Sequence, residues 1–493
     1  MNPRKGSFGC LFSLAGNRLF PRKWLFALIL LGSLAGCAAN PVTGDANFVL
    51  MTESQETALG ARADQDVKKQ YALYDLHGLQ AYVDGVGQKL ARHSHRAALG
   101  YRFTVLDSTD INAFALPGGY VYITRGILAY LNSEAELAAV LGHEIGHVNA
   151  RHSVRQISVA QGADVLLNVL AAVSPAMRSA VVQNVTGLLG NALLSGYGRE
   201  HELEADRLGA EYLARSGYDP QAMIRVIGVL KNQELFDAEA AKQEGREPRA
   251  YHGVFASHPD NDTRLKEVVG AAEKLRVSAG EIGRERYLEH TAGMVFGDNA
   301  YEGFVRAGSF YHPDLGFALK LPSGWRTANM KDRLVAAAPG AEARLELRTQ
   351  SRPKEEPADF LRRLARGAND IEITLVNGLP AAIAMARGQF AATVYLGNRA
   401  YLFSGTAKSD EALARNLGAM RDSVRSFRAL GDAEKAQVKP LLLKPVAATE
   451  ATRFAELARS SPLGRNAEGY LRLINGIYPA GEPKAGDTIR IVE

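Results

Sequence analysis

One pentapeptide, His143-Glu144-Ile145-Gly146-His147, constrains this chain more than any other stretch. It lies inside an apolar run, 133–153, whose spacing predicts a helix. An α-helix turns once per about 3.6 residues, so the two histidines project from one face, a turn apart. Imidazoles so placed can share a tetrahedral zinc ion, with Glu144 beside them to take a proton from a water that the ion holds. Ser133 and Glu136, after Leu131-Asn132, read as a capping box that starts the helix. Two solvated histidines on an amphipathic helix would leave the same signature, so the rest of the chain must decide.

A third ligand is needed. A glycine three residues and a histidine six residues past the second histidine would mark one zinc-peptidase class, but Ala150 and Ser153 stand there. His152 comes one residue early and is expected to pack or hydrogen-bond locally. Glu202-Leu203-Glu204-Ala205-Asp206 opens a helical stretch running to residue 216. Glu202 and Asp206 are four apart and share a face. That suits Glu202 as the third ligand and Asp206 as the carboxylate that orients a ligand histidine. Glu204 projects elsewhere, toward the surface.

The formal net charge of +5 comes from the first 36 residues, which hold Arg4, Lys5, Arg18, Arg22 and Lys23 and no acid. Setting those five aside, 58 basic residues fall to 53, equal to the 53 acidic ones. Nothing in that balance points to nucleic acid as a partner. Composition is that of a globular protein, 46% hydrophobic and 23% charged. The basic residues precede a short apolar run, 24–34, which ends Leu34-Ala35-Gly36-Cys37. This resembles the lipobox of bacterial lipoproteins. The resemblance implies cleavage before Cys37, acylation there, and, with Ala38 next, sorting to the outer membrane facing the periplasm. The other cysteine, Cys10, is in the leader, so the mature chain is expected to form no internal disulfide.

Residues 37–51 read as a tether with Asn40-Pro41-Val42-Thr43-Gly44 as turn material. From Thr52, with Gln55 as a possible cap partner, the pattern turns helical. Leu79, Tyr82, Val83, Val86 and Leu90 then share one helical face. Residues 101–106 alternate as a strand, and 111–123 read as an irregular strand around Pro117-Gly118-Gly119. Such a strand can serve as a sheet edge that takes an extended substrate, or as an ordinary hairpin. The apolar segment 156–196 is broken by Asn168, Pro175, Arg178, Gln183 and Asn184, leaving no clean run of about 20 apolar residues. A helical hairpin over the cleft and plain core packing both fit it.

Several separate stretches together resemble a known family. They are Asn112-Ala113-Phe114-Ala115-Leu116-Pro117-Gly118-Gly119, the His143-to-His147 pentapeptide, Glu202-x-Glu204-Ala205-Asp206, and Ser257-His258-Pro259 with Arg264. The chain resembles, over roughly residues 40–275, the HtpX-like and CAAX-prenyl-endopeptidase group of gluzincin metallopeptidases, in its bacterial lipoprotein branch. The resemblance implies a mainly helical fold around a small sheet. It implies one zinc ion held by His143, His147 and Glu202, with Glu144 as general base. It also implies that His258 lies at the active site, where it can approach the metal or stabilise developing negative charge, with Arg264 nearby as a further catalytic residue. Gly198 departs from the family's usual serine, which affects the start of the helix rather than the metal.

Beyond the peptidase domain, 52–275, come a connector, 276–309, and an α+β accessory domain, 310–430. The latter has helical stretches at 358–366 and 410–426 and a two-residue hairpin turn at Gly397-Asn398. A Pro/Lys-rich linker, 431–450, precedes 451–493, which resembles a LysM module. That resemblance implies two helices on a two-stranded sheet and peptidoglycan as partner; simple scaffolding fits equally. The whole reads as a multidomain α+β zinc endopeptidase, lipid-anchored through Cys37, acting on misfolded or misassembled envelope proteins. The alternative is a gated peptide-binding chaperone or assembly factor for outer-membrane proteins, working beside their assembly machinery.

Overall fold

The computed structural model describes residues 37–44, 46–159, 197–244, 264, 280–306, 308–330, 332–365 and 367–493. The leader, most of the 156–196 segment, and His258 with its neighbours lie outside the described residues. The tether forms a small antiparallel hairpin, β1 (Cys37–Ala39) with β2 (Ala46–Phe48). Helix α1 (Glu53–Gln70) follows. Its capping box pairs Thr52 and Gln55, each side chain accepting the other residue's backbone N–H. Helix α2 (Leu79–Ala91) buries Leu79, Val83, Val86 and Leu90, the apolar face that the spacing predicts.

Three strands make the peptidase sheet. β3 (Arg102–Leu106) runs parallel to β5 (Tyr120–Thr124), and β4 (Ala113–Leu116) pairs antiparallel on the other side of β5. Gly118 and Gly119, at φ +82° and +90°, turn β4 into β5 with a backbone that side chains resist. Alternate strand residues face opposite ways. Ala113, Ala115, Val121 and Ile123 join the main core, while Leu116, Tyr120 and Tyr122 pack on α1. β4 is thus an edge strand.

Helix α3 (Glu134–Asn149) carries the pentapeptide and is buried along its whole length. Ser133 accepts the Glu136 N–H at 3.2 Å, but the Glu136 carboxylate reaches back to the N–H of Asn132 at 2.7 Å, not to that of Ser133. The expected capping box is therefore displaced by one residue on its return arm. Helices α4 (Arg199–Arg215) and α5 (Ala222–Glu244) cross α3. The α3–α4 crossing is close because it is built from glycines. A Cβ at Gly146 would stand 2.9 Å from the Ala205 carbonyl oxygen, and one at Gly209 would stand 3.0 Å from the His143 nitrogen.

Two expectations about the joints need correction. The segment 276–309 is more than a connector: α6 (Arg284–His290) buries Tyr287 and Leu288 in the main core, and β6 (Val295–Phe296) and β7 (Phe304–Arg306) are strands. The segment 431–450 is not a free linker. It holds a strand, Leu441–Ala447, that pairs with β6 and with a strand at the very end of the chain. Its leucines supply the apolar surface. Pro445 falls beyond the β6 pairing, where a missing N–H costs no ladder bond.

The accessory domain between them is α+β. Strands β8 (Ser309–His312) and β9 (Phe317–Lys320) join β7 in a four-stranded sheet. A seven-stranded antiparallel sheet, 326–407, is covered by α7 (Pro357–Leu364) on one face and α8 (Asp410–Arg425) on the other. Gly397-Asn398 closes the hairpin in which Leu396 pairs with Arg399. At the end of the chain, α9 (Phe454–Ser460) and α10 (Ala467–Ile474) follow Leu441–Ala447 in sequence and precede the strand that pairs with it, Thr488–Val492. Phe454, Leu471, Ile474 and Ile489 belong to the same core as the peptidase helices. Among the described residues no helix is long and apolar enough to cross a membrane.

Glu302 sits where the accessory domain meets the peptidase sheet: its carbonyl accepts from Asn329 and its N–H donates to Asn299. Burial, then Asp107, Asp298 and Asp110, push its carboxyl up to about 7, against Arg125. A carboxyl raised in the fold favours folding below its ordinary value and loses that contribution as pH rises through about 7. Glu302→Gln should therefore raise the melting temperature by a few degrees at pH 8, for a relief of roughly 1–3 kcal/mol, and change little at pH 4.5. Melting curves at the two pH values check this, and equal shifts at both would count against it.

Candidate metal centre

The start of α4 brings Glu202 under the two histidines. Gly198 caps this helix without a side-chain bond, and Glu202, in its first turn, is fully buried at the glycine-lined crossing. The Nε2 atoms of His143 and His147 stand 3.0 Å apart. They lie 3.6 and 3.5 Å from the two Glu202 carboxylate oxygens. A tetrahedral zinc ion with ligand bonds of about 2.0–2.1 Å keeps its ligand atoms about 3.3 Å apart. The three donors fit that ion, and they are the one group of this kind among the described residues. Glu144, also buried, follows His143 on the same helix.

The other ring nitrogens are held as well. His143 Nδ1 meets Asp206 Oδ1 at 2.8 Å. Arg264 grips Asp206 from behind through Nε at 2.8 Å and Nη2 at 2.7 Å, and comes within 3.3 Å of Glu202. Burial pushes the Asp206 carboxyl up, but Arg264 and His143 outweigh it and hold it well below the usual carboxylate range. The Arg264 guanidinium thus bonds both carboxylates of the crossing.

His147 has a longer support. Its Nδ1 lies 2.8 Å from His152 Nδ1, and His152 Nε2 lies 3.0 Å from Glu204 Oε2. Glu204 is thus no surface residue: its side chain is 15% exposed and also pairs with Arg155 at 3.3 Å. Burial works against its charge, but His152, Asn40 and Arg155 hold its carboxyl at about 2. Arg151, at φ +56°, turns the chain back after α3 and tucks His152 beneath the ring of His147. Helical spacing along 199–215 could not have revealed this, because the partner lies beyond a chain reversal. Tyr197 stacks on His147, ring centres 4.0 Å apart. Beside Glu144 and His143 lies a small cavity of about 20 Å³ walled by Val140, Met223, Ile227 and Leu230.

Two histidines a turn apart, a glutamate from a second helix and a buried glutamate beside them make the donor set that a catalytic zinc site needs. Residues 78–272 match the model of Peptidase family M48, and His143, His147 and Glu202 within them are placed to hold a metal ion. The chain is similar to the beta-barrel assembly-enhancing protease of Escherichia coli (strain K12), 28% identical over 283 residues, 55% of this chain and 56% of that one. It is also similar to the mitochondrial metalloendopeptidase OMA1 of Schizosaccharomyces pombe, 28% identical over 254 residues, 50% of this chain and 71% of that one. The OMA1 of Arabidopsis thaliana is 31% identical over 208 residues, 40% of this chain and 38% of its own. The chain spans about half the length of the bacterial relatives it matches.

Glu202→Ala should abolish stoichiometric zinc. Asp206→Asn should bind zinc about 10–100-fold more weakly, as losing an orienting carboxylate does. Zinc per chain and chelator competition measure both. An unchanged affinity in Glu202→Ala would remove Glu202 from the ligand set.

Proposed function

We propose that the chain is a zinc-dependent endopeptidase, lipid-anchored through Cys37 to the outer membrane on its periplasmic face, that degrades misfolded or misassembled envelope proteins. The observation that carries this reading is the convergence of His143, His147 and Glu202 with Glu144 alongside. Zinc, when bound, polarises a peptide carbonyl and acidifies water. His143, His147 and Glu202 would hold it, their second nitrogens fixed by Asp206 and His152. Glu144 would take the proton of the attacking water and deliver it to the leaving amine. The edge strand β4 beside α3 offers backbone donors and acceptors to an extended substrate.

The anchor rests on the basic leader, its short apolar run and Leu34-Ala35-Gly36-Cys37. The envelope substrates are in keeping with relatives named for enhancing β-barrel assembly. That name also keeps a second reading in play, an assembly factor whose proteolysis is gated at rest. The family resemblance in the lipoprotein branch adds His258 to the site as a tuning group; it lies outside the described residues. For 451–493, docking on the peptidase core favours scaffolding over peptidoglycan binding.

Casein cleavage and zinc content of the chain, wild type beside Glu144→Gln, test the enzymatic reading. The variant should keep its zinc and lose cleavage by a factor of about 10² or more, since only the base is gone. Equal cleavage in the two sinks the reading. No cleavage by either, with aggregation of an unfolded client suppressed by both, favours the assembly factor. His258→Ala should keep zinc at wild-type stoichiometry; a loss matching that of Glu202→Ala would make His258 a ligand.

A further inference from the structure

The turn Asn40-Pro41-Val42-Thr43-Gly44 has so far only linked an anchor to a domain. Its first side chain is buried, 5% exposed, although it belongs to a tether. Asn40 Oδ1 accepts the Val42 N–H at 2.9 Å, and its carbonyl accepts the Gly44 N–H at 2.9 Å, with Gly44 at φ +76°. These bonds fix which end of the amide is oxygen. Its Nδ2 then donates to Glu204 Oε1 at 3.2 Å. The other Glu204 oxygen takes His152 Nε2 and Arg155. With a proton held at Nε2, His152 presents a bare Nδ1 to His147, whose own Nδ1 carries the proton and whose Nε2 is left for the ion.

We propose that Asn40 and Glu204 are positioning residues for the metal site: the tether turn holds Glu204, and Glu204, through His152, sets the tautomer and angle at which His147 meets zinc. This rests on the reading of His143, His147 and Glu202 as ligands. The two histidines are supported unequally. Asp206 bonds His143 directly and is clamped by Arg264, whereas Glu204 bonds His147 only through another imidazole. The far end of this relay, Glu204, is held by Arg155 and by Asn40, and Asn40 comes from a segment outside the domain's helices.

The test uses the full chain, with zinc affinity read by chelator competition and ligand geometry by the absorption spectrum of the cobalt(II)-substituted protein. Glu204→Ala should weaken zinc about 10–100-fold and shift the cobalt bands. Asn40→Ala should weaken it roughly 3–10-fold, the loss of one hydrogen bond to a charged group. Asn40→Asp should be worse than Asn40→Ala, because it sets a like charge against Glu204. The Asn40→Ala, Glu204→Ala double variant should match Glu204→Ala, since both act on one path. Val42→Ala, in the same turn and packed on the core, is the control: it should lower the melting temperature and leave zinc affinity alone. Wild-type affinity and spectra in both single variants overturn the proposal, as does Val42→Ala weakening zinc as much as Asn40→Ala. A wild-type chain that takes up no zinc overturns the ligand reading, and the proposal with it.

Discussion

Three carboxylates, Glu144, Glu202 and Asp206, are buried where α3 crosses α4. Taking an ion out of water costs several kcal/mol unless something compensates. Arg264, 3% exposed, brings one positive charge to this group. The spacing of the donors suits a cation, and Arg264 offsets part of the negative charge. The cost of burying it is met by the surrounding core, which runs without a break from α2 through α3 to the last strand.

Close approach is the second requirement. Glu202 reaches both imidazoles because Gly142, Gly146 and Gly209 let two helix backbones meet. Gly146 is one of the two unspecified positions of the pentapeptide, yet a methyl group there would press on the Ala205 carbonyl. The residue between the chemistry-bearing ones thus sets the distance at which the chemistry operates. Orientation comes next, from Asp206 on one ligand and from His152 with Glu204 on the other.

Much of this was legible because it is periodic. Helical spacing gives the shared face of His143 and His147 and of Glu202 and Asp206, and the Thr52–Gln55 cap and the Gly397-Asn398 turn are short-range signals that the structure keeps. What escaped is non-local. Glu204 was assigned to the surface because position along one helix says nothing of a neighbour delivered by a left-handed residue at Arg151. Residues 431–450 read as a linker because Lys and Pro make up four of the seven residues 439–445. The partner that makes Leu441–Ala447 a strand comes after two further helices.

Helix α3 is consequently held at both ends by segments remote in sequence. At its start, Asn132 receives Arg490 from the last strand at 3.1 Å and Arg284 at its carbonyl at 3.1 Å; Arg284 also reaches the carbonyl of Thr488. At its end, Arg151 bonds Glu56 and the Met51 carbonyl, and His152 leads through Glu204 to Asn40. A helix pinned only along its length could slide or rotate by fractions of an ångström against α4, and a ligand set spaced at 3.0–3.6 Å would not survive that. Fixing both ends removes the sliding motion, and the segments that fix them come from the two extremities of the described chain. The terminal segments, which carry no catalytic group, are in this way part of what keeps the centre in register.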